Sequence, residues 1–399
     1  MIPLLLTLLA QNFEQRGFFE NDTLLYPQTA PNDSAQIVNE TLFRWEASYK
    51  IAPWLKISGA FDAETDTHQQ VERAFHLDFD GRSIQRPAFS LRRYSATLHK
   101  GKFTAELGRQ FIRWGKTDIL NPTDVFAPKD YLSSVVAPDF LGVIAARATI
   151  EQGNNTFDLI WQPWFTPSRT PLLDQRWTVI LPAAAGVSIQ DQGARYPGRS
   201  QFGARWNHIG SGYEYSFCYF DGFNYLPLFS SQFNPAANTL GLQRYYPELR
   251  LYGADLAVPL RWFTVKGEVA YFTSTTPDTD QYALYVIQLE RQWKEWSFVG
   301  GYAGEVLTRA GNPLEFSPNQ GFARSFVGRA AWTIDPNRSL AIETAVRAGG
   351  SFTRFEYSQT YGQHWRVTPG FAWIRGDMTD FIGEYRRNSY ASLALRYSF

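Results

Sequence analysis

The chain ends in a stretch whose hydrophobic and polar positions alternate with a period of two. Residues 389–399 read SYASLALRYSF, and one side of this stretch collects its larger apolar residues, Ala391, Leu393, Leu395, Tyr397 and Phe399. The other side carries Tyr390, Ser392, Ala394, Arg396 and Ser398. Successive side chains of a β-strand point to opposite faces, so this pattern predicts a strand with one apolar face and one largely polar face.

The same alternation recurs throughout the chain. Segments 213–220, 262–271 and 338–347 each place apolar residues on one side and charged or hydroxyl residues on the other. Tight turns rich in Gly, Pro, Asn and Asp join such segments in pairs. These turns fall near residues 52–53, 99–102, 152–155, 209–212, 259–261, 293–295, 335–337 and 361–363.

Longer, irregular connections join one pair of strands to the next. They cover residues 62–87, 112–141, 164–199, 221–245, 274–280, 306–321 and 376–388. Short turns at one rim and long loops at the other are typical of outer-membrane β-barrels. Eight hairpins, a first strand at 16–26 and the closing strand predict an all-β, transmembrane antiparallel β-barrel of about 18 strands, within a range of about 16 to 20.

The composition agrees with a barrel better than with a helical membrane protein. The 399 residues are 44% hydrophobic and 16% aromatic, yet the mean hydropathy is −0.31 and no apolar run approaches the length of a membrane-spanning helix. In a barrel half of each strand faces water, which explains the near-neutral average. Aromatic residues recur beside the short turns, where a girdle would meet lipid headgroups: Trp54, Trp206, Tyr213, Trp262, Trp293, Trp296, Trp332 and Trp365. A large soluble β-structure is the alternative, but it would not require charges on nearly every polar face.

The first ten residues, MIPLLLTLLA, predict a secretory signal peptide cleaved after Ala10, although no basic residue precedes the apolar stretch. Residues 11–399 then form a single barrel. We expect the outer membrane of a Gram-negative-type bacterium as its location and outer-membrane lipid as its partner. Periplasmic or extracellular partner proteins stay open. The net charge of zero and the lack of a basic stripe argue against nucleic acid.

No local pattern points to enzymatic chemistry. The single Cys218 excludes an intrachain disulfide and Cys-based metal or haem sites, and the five histidines lack metal-ligand spacing. No nucleophile elbow and no Walker or Rossmann glycine pattern occurs. We therefore expect no metal, no cofactor and no enzyme, while a Ser/His/Asp set assembled only in space stays open as an alternative.

The connection at 112–141 is long enough to suggest a function of its own. The sequence from 107 to 130, LGRQFIRWGKTDILNPTDVFAPKD, resembles a motif of DUF1302-type outer-membrane barrels, which carry a GRQ…WG…D…NP.D…P.D segment after an early strand. GFFEN near the start and RYSF at the end also fit that family. The resemblance implies an exported β-barrel that acts as a porin or in envelope lipid export, with no established enzymatic activity.

The charges of this connection predict that it folds inward and narrows the pore. Arg113, Lys116 and Lys129 would then face Asp118, Asp124 and Asp130. Opposed charges at a constriction create a transverse field that selects permeants. The alternative is an extracellular loop held by its own salt bridges.

These patterns together predict a porin-like channel for passive diffusion of small solutes. Its lumen would be lined by residues of mixed charge: Arg44, Glu46, Glu106, Arg205, Glu214, Lys266, Glu268, Glu343, Arg347, Arg354, Glu356 and Arg396. Near-balanced charge predicts a weak preference between cations and anions. Two other functions stay open. The barrel would be a sheath around partner proteins, such as cytochromes of an electron conduit, or the outer-membrane component of lipid export.

Overall fold

The computed structural model describes residues 12–118, 120–179, 186–311 and 314–399. This part of the chain is built almost entirely of strands, as the period-two alternation predicts. They are β1 (Phe13–Leu25), β2 (Ile37–Ala52), β3 (Leu55–Asp66), β4 (Leu77–Asp78), β5 (Phe89–Lys100), β6 (Phe103–Gln110), β7 (Lys129–Asp130), β8 (Asp139–Phe140), β9 (Val143–Gln152), β10 (Asn155–Gln162), β11 (Ser188–Arg195), β12 (Gln201–Gly210), β13 (Tyr213–Phe223), β14 (Leu228–Asn234), β15 (Thr239–Tyr245), β16 (Glu248–Pro259), β17 (Thr264–Thr273), β18 (Gln281–Trp293), β19 (Trp296–Arg309), β20 (Ser325–Asp335), β21 (Arg338–Val346), β22 (Gly350–Tyr361), β23 (Trp365–Gly376) and β24 (Tyr390–Ser398). Two single-turn helices, α1 (Pro318–Gly321) and α2 (Phe381–Glu384), lie in loops.

Eighteen of these strands form one closed antiparallel wall. Each pairs with its neighbours in chain order, and β1 pairs with β24 from Phe18↔Ser398 to Leu25↔Ala391. The other six strands, β4, β7, β8, β11, β14 and β15, belong to the long connections. Closure leaves no free sheet edge for lipid to meet. The predicted barrel of about 18 strands is confirmed.

The two rims differ as the sequence predicts. All eight tight turns join strands at one rim, and the seven long connections lie at the other, together with the connection at 26–36 between β1 and β2. The second rim also carries a short connection, residues 347–349, that the sequence analysis missed. There Arg347 and Gly350 exchange backbone hydrogen bonds, so the chain reverses in a tight turn. A turn this short leaves no visible break in the alternating pattern of the sequence. The predicted signal peptide, residues 1–10, lies outside the described residues.

The wall has an apolar outer face and a mixed inner face. On β24 the predicted apolar side is exposed, with Leu393 at 42% and Leu395 at 39%, whereas Tyr390 on the other side is buried. Exposed tryptophans beside the short turns include Trp54, Trp262, Trp293 and Trp365. Such aromatic girdles meet the headgroup region of a membrane. Among the described residues, no helix has the length and apolar character to cross a bilayer.

The space inside the wall is partly filled by the chain's own loops. One cluster of buried hydrophobic residues packs Trp114, Phe126 and Phe165 from the long connections against inward side chains of the wall such as Phe220. A second cluster surrounds Trp177 near the seam between β1 and β24. Both clusters lie on the face opposite the exposed apolar side chains.

Candidate functional site

The connection between β6 and β9 is bonded to the inner face of the wall through Glu268. This residue lies on β17 and is only 3% exposed. One carboxylate oxygen accepts hydrogen bonds from the backbone nitrogens of Lys116 (2.9 Å) and Thr117 (3.0 Å) and from the Thr117 hydroxyl (2.8 Å). The other oxygen accepts from the backbone nitrogen (2.7 Å) and hydroxyl (2.9 Å) of Thr123. Hydrogen bonds to a charged acceptor are stronger than neutral ones, so this carboxylate holds Lys116, Thr117 and Thr123 against the wall.

Aromatic side chains of the same connection pack beneath this anchor. Trp114 and Phe126 meet edge to face at 5.2 Å, and Phe126 contacts Phe220 of β13 in the same way at 5.1 Å. The Trp114 indole nitrogen donates to Asp158 of β10 at 2.9 Å. Both rings lie over Gly203 of β12, where a Cβ atom would come within 2.4 Å of Phe126. The glycine therefore makes the space that these rings occupy.

Four of the predicted constriction charges, Arg113, Lys116, Asp118 and Asp124, form ion pairs on or near this anchor. Arg113 pairs with Asp124 within the connection at 2.7 Å. The Lys116 amine pairs with Glu214 and lies 3.4 Å from Asp255, both on the wall. Asp118 accepts from the Lys266 amine of β17 at 3.1 Å. Arg113 and Asp124 thus face each other, whereas Lys116 and Asp118 pair with charged residues of the wall.

Asp130 joins three connections. Its carboxylate forms ion pairs with Arg86 of the connection after β3 and with Arg169 of the connection after β10, each at 2.9 Å. Burial alone would raise the pKa of Asp130, but the two guanidinium groups outweigh burial and hold that pKa below its usual range. Burial lowers the pKa of the neighbouring Lys129, whose amine lies over the Phe140 ring at 5.5 Å.

A charged cavity of about 280 Å³ remains between this connection and the wall on the side of the seam. Arg44, Arg354 and Glu356 from the predicted lumen set line it. The sequence analysis missed most of its other charged residues, which include Glu20, Asp22, Glu40, Asp62, Glu64, Arg86 and Arg92. Several of these belong to strands whose faces the period-two pattern could have assigned, whereas Arg86 lies in an irregular connection.

A bulge brings two adjacent arginines to the same interior. The register between β3 and β5 shifts between Ala60 and Phe61, so β5 has one extra residue there. As a result Arg92 lines the charged cavity, while Arg93 reaches Glu106 at 2.9 Å. Strict alternation would have placed one of the two arginines on the lipid face.

The remaining predicted lumen residues also make ion pairs, most of them between neighbouring strands. The pairs are Arg44–Asp62 (2.7 Å), Glu46–Arg16 (2.5 Å), Arg205–Asp255 (2.8 Å), Lys266–Glu290 (2.7 Å), Glu343–Arg354 (3.4 Å) and Arg396–Glu20 (2.5 Å). Arg347 lies just beyond the end of β21, at the long-loop rim, and pairs with Asp380 at 2.8 Å. Within the described ranges, no group of His, Cys, Asp or Glu is placed to hold a metal ion.

Sequence comparison and structure comparison give different outcomes. No protein-family model matches the chain, so the resemblance to DUF1302-type barrels stays a prediction, and no curated protein matches it either. Solved structures match over nearly the whole chain. The BenF-like porin from Pseudomonas fluorescens Pf-5 has a TM-score of 0.56 at 10% identity, covering 97% of each chain. OpdK from Pseudomonas aeruginosa has a TM-score of 0.56 at 9% identity, covering 98% of this chain and 99% of its own.

OccAB4 from Acinetobacter baumannii has a TM-score of 0.54 at 9% identity, covering 98% of this chain and 99% of its own. At these identities the likeness establishes the fold. A closed wall with an apolar outer face spans a membrane, and barrels of this design belong to outer membranes. The chain therefore has the fold of an outer-membrane porin, and its place is the outer membrane of a Gram-negative bacterium.

Proposed function

We propose that this protein is a porin-like channel for passive diffusion of small polar solutes, with a lumen narrowed by the connection at 112–141. The observation that carries the proposal is the Glu268 carboxylate, which accepts five hydrogen bonds from that connection. Glu268 projects from the inner face of β17, so the connection bonded to it occupies the interior. A barrel of about this strand number otherwise leaves a wide aqueous channel.

The lining of the charged cavity supports polar rather than lipid permeants. Both signs of charge are present, and many are compensated by a partner, such as Arg44 by Asp62 and Arg396 by Glu20. A hydrated solute can replace the water around these charged groups at a small cost in free energy. Acyl chains form no hydrogen bonds, so their passage would leave the charged groups without water or other partners. Near-balanced charge also supports a weak preference between cations and anions.

The interior offers little support for a sheath around partner proteins. Both internal hydrophobic clusters are made by the chain's own connections packed on the wall. A partner threaded through the barrel would have to displace them and expose residues such as Trp177 and Phe126, each 1% exposed. Exposing a buried side chain of this size to water costs about 1.5–3 kcal/mol.

Solute uptake by proteoliposomes tests the proposal. Vesicles that contain the folded barrel should swell in an isotonic pentose and respond less to disaccharides and larger sugars. The variant E268A should admit larger sugars than the wild type, because the connection loses its anchor. D335N, which alters an exposed carboxylate at the short-turn rim, is the matched control and should behave as the wild type. Folded protein that gives no swelling with any sugar would refute the proposal.

A further inference from the structure

A second cavity, of about 510 Å³, lies among the long connections and shares no residue with the charged cavity. Five connections line it: those after β10, β13, β17, β19 and β23. It therefore lies at the long-loop rim. Its volume is within the range of sites that bury a small organic molecule, about 300 to 1,000 Å³.

About half of the residues that line this rim cavity are apolar, and five of them are aromatic residues held by packing. Trp177 and Phe381 each lie 5.5 Å from the Tyr385 ring, and Phe316 meets Tyr131 edge to face at 5.1 Å. Phe229 of β14 completes the aromatic lining. Rings fixed in this way form a preformed surface for an apolar body, and their faces also attract cations.

The charges of the rim cavity are predominantly negative. Asp280, Glu315 and Glu384 line it, and among the described lining residues Arg244 is the one cation. That arginine is already occupied, because its guanidinium donates to both carboxylate oxygens of Asp191, at 2.8 and 2.6 Å. Asp280 accepts one bond, from the backbone nitrogen of Gly311 at 2.7 Å.

Glu315 and Glu384 form no ion pair within the described part of the chain, in contrast to most lumen carboxylates. Burial raises the pKa of Glu315, and the nearby Asp280 and Glu305 raise it further, against a hydrogen bond from Ser317. Burial also raises the pKa of Glu384, with Asp380 adding to the effect. A cation in the cavity would compensate both carboxylates.

We propose that the rim cavity binds amphiphilic organic cations, in which a protonated or quaternary amine is attached to an aromatic or aliphatic body. The carboxylates of Glu315 and Glu384 bind the amine, and the body packs on the partly exposed rings of Phe229, Phe316 and Phe381. An anion of the same skeleton is excluded, since Arg244, the one guanidinium among the described lining residues, is already paired with Asp191. This inference goes beyond the channel function, because binding at the rim does not require the lumen to conduct.

Three probes with one skeleton test the proposal by calorimetric titration of the full-length folded barrel in detergent. They are 3-phenylpropylammonium, 3-phenylpropanol and 3-phenylpropionate. We expect saturable binding of the ammonium, affinity lower by about tenfold for the alcohol, the equivalent of one charge-assisted hydrogen bond, and no binding of the carboxylate. Equal heats for all three probes would overturn the proposal, because they would indicate partition into the micelle or an uncharged site.

Variants separate the rim cavity from other sites. E315Q combined with E384Q should reduce ammonium affinity by at least about tenfold and leave alcohol binding unchanged. E356Q, which alters a carboxylate of the charged cavity, should leave ammonium affinity unchanged. If the double variant fails to fold, E384Q alone tests whether a cavity carboxylate binds the amine of the probe. The proposal would be contradicted if the affinity for the ammonium probe is unchanged in E384Q and E315Q. It would also be contradicted if that affinity falls in E356Q.

Discussion

The Glu268 carboxylate on β17 accepts hydrogen bonds from both the backbone nitrogen (2.7 Å) and the hydroxyl (2.9 Å) of Thr123, a residue 145 positions earlier in the chain. A single inward carboxylate thus satisfies donors of an irregular connection that would otherwise be buried without partners. The wall supplies the hydrogen-bond acceptor, and in the proposed channel the connection bonded to it narrows the passage. The account of this protein as a narrowed channel depends on that relationship.

Replacing Glu268 by alanine should widen the passage. The change removes five hydrogen bonds to a charged group, each contributing about 1.5–3 kcal/mol, and leaves the donors of the connection unpaired. Single-channel conductance should rise and become noisier, while the barrel still shifts in electrophoretic mobility on heating. E343A, which alters an inward carboxylate paired with Arg354 instead, is the control. Unchanged conductance in E268A would mean that the anchor does not limit the passage.

Valine at Gly203 should displace the same connection from the opposite side. A Cβ atom there would meet Phe126 at 2.4 Å and Trp114 at 2.7 Å, so the packed rings must move, at a cost of about 1–3 kcal/mol. We expect a lower unfolding temperature and faster proteolysis of the long connections. G300V is matched in chemistry, but a Cβ at Gly300 meets nothing within 4 Å, so it should be nearly neutral. Equal effects of the two variants would contradict the packing described here.

Asp130 should hold the connections together down to acid pH. A carboxyl whose pKa is lowered in the folded protein contributes stability above its unfolded pKa, about 3.9, and that contribution is lost as the pH falls further. Proteolysis of the long connections should therefore stay slow from neutral pH to about pH 4 and accelerate below it.

In D130N, proteolysis of the long connections should be fast already at neutral pH. The variant removes the carboxylate that Arg169 pairs with, whereas Arg86 keeps Glu40 at 3.2 Å. Breaking a buried ion pair costs about 3–5 kcal/mol. The rate of cleavage should rise by at least about tenfold. D139N alters an exposed carboxylate of the same connection and should leave the rate unchanged. A D130N rate equal to that of the wild type would show that this ion-pair cluster does not restrain the connections.

Removing positive charge from the charged cavity should shift ion selectivity. In R44Q combined with R92Q, the carboxylate of Asp62 loses both neighbouring guanidinium groups, at 2.7 and 4.0 Å, and attracts cations instead. The reversal potential in a salt gradient should move toward that of a cation-selective channel. R338Q, at the short-turn rim and outside this cavity, should leave it unchanged. No shift in the double variant would place the selective region elsewhere.

The fold could be predicted from the sequence because the alternating pattern of apolar and polar residues that specifies it is local. Alternation over a few residues assigns each strand and its two faces, as on β24, and Gly-, Pro- and Asn-rich turns mark the reversals. The bulge at Arg92 escaped the same rule, since one inserted residue changes the face without altering the composition.

The candidate site could be predicted only in part. The motif-rich connection was recognised from its length and charge, but its partners lie far along the chain. Asp118 meets Lys266 across 148 positions, and Asp130 meets Arg86 in another irregular connection. No periodicity relates such positions, so the pairing of charges could be described only once the topology had brought them together.

Conductance of the purified barrel in a planar bilayer, with and without residues 114–138, tests the central claim most directly. The account predicts steady ohmic steps for the wild type and larger steps for the deletion, while deletion of the rim hairpin 230–243 leaves the step size nearly unchanged. Folded, heat-modifiable wild-type protein that gives no steps would contradict the channel itself. Steps of equal size with and without residues 114–138 would contradict the proposal that this connection narrows the lumen.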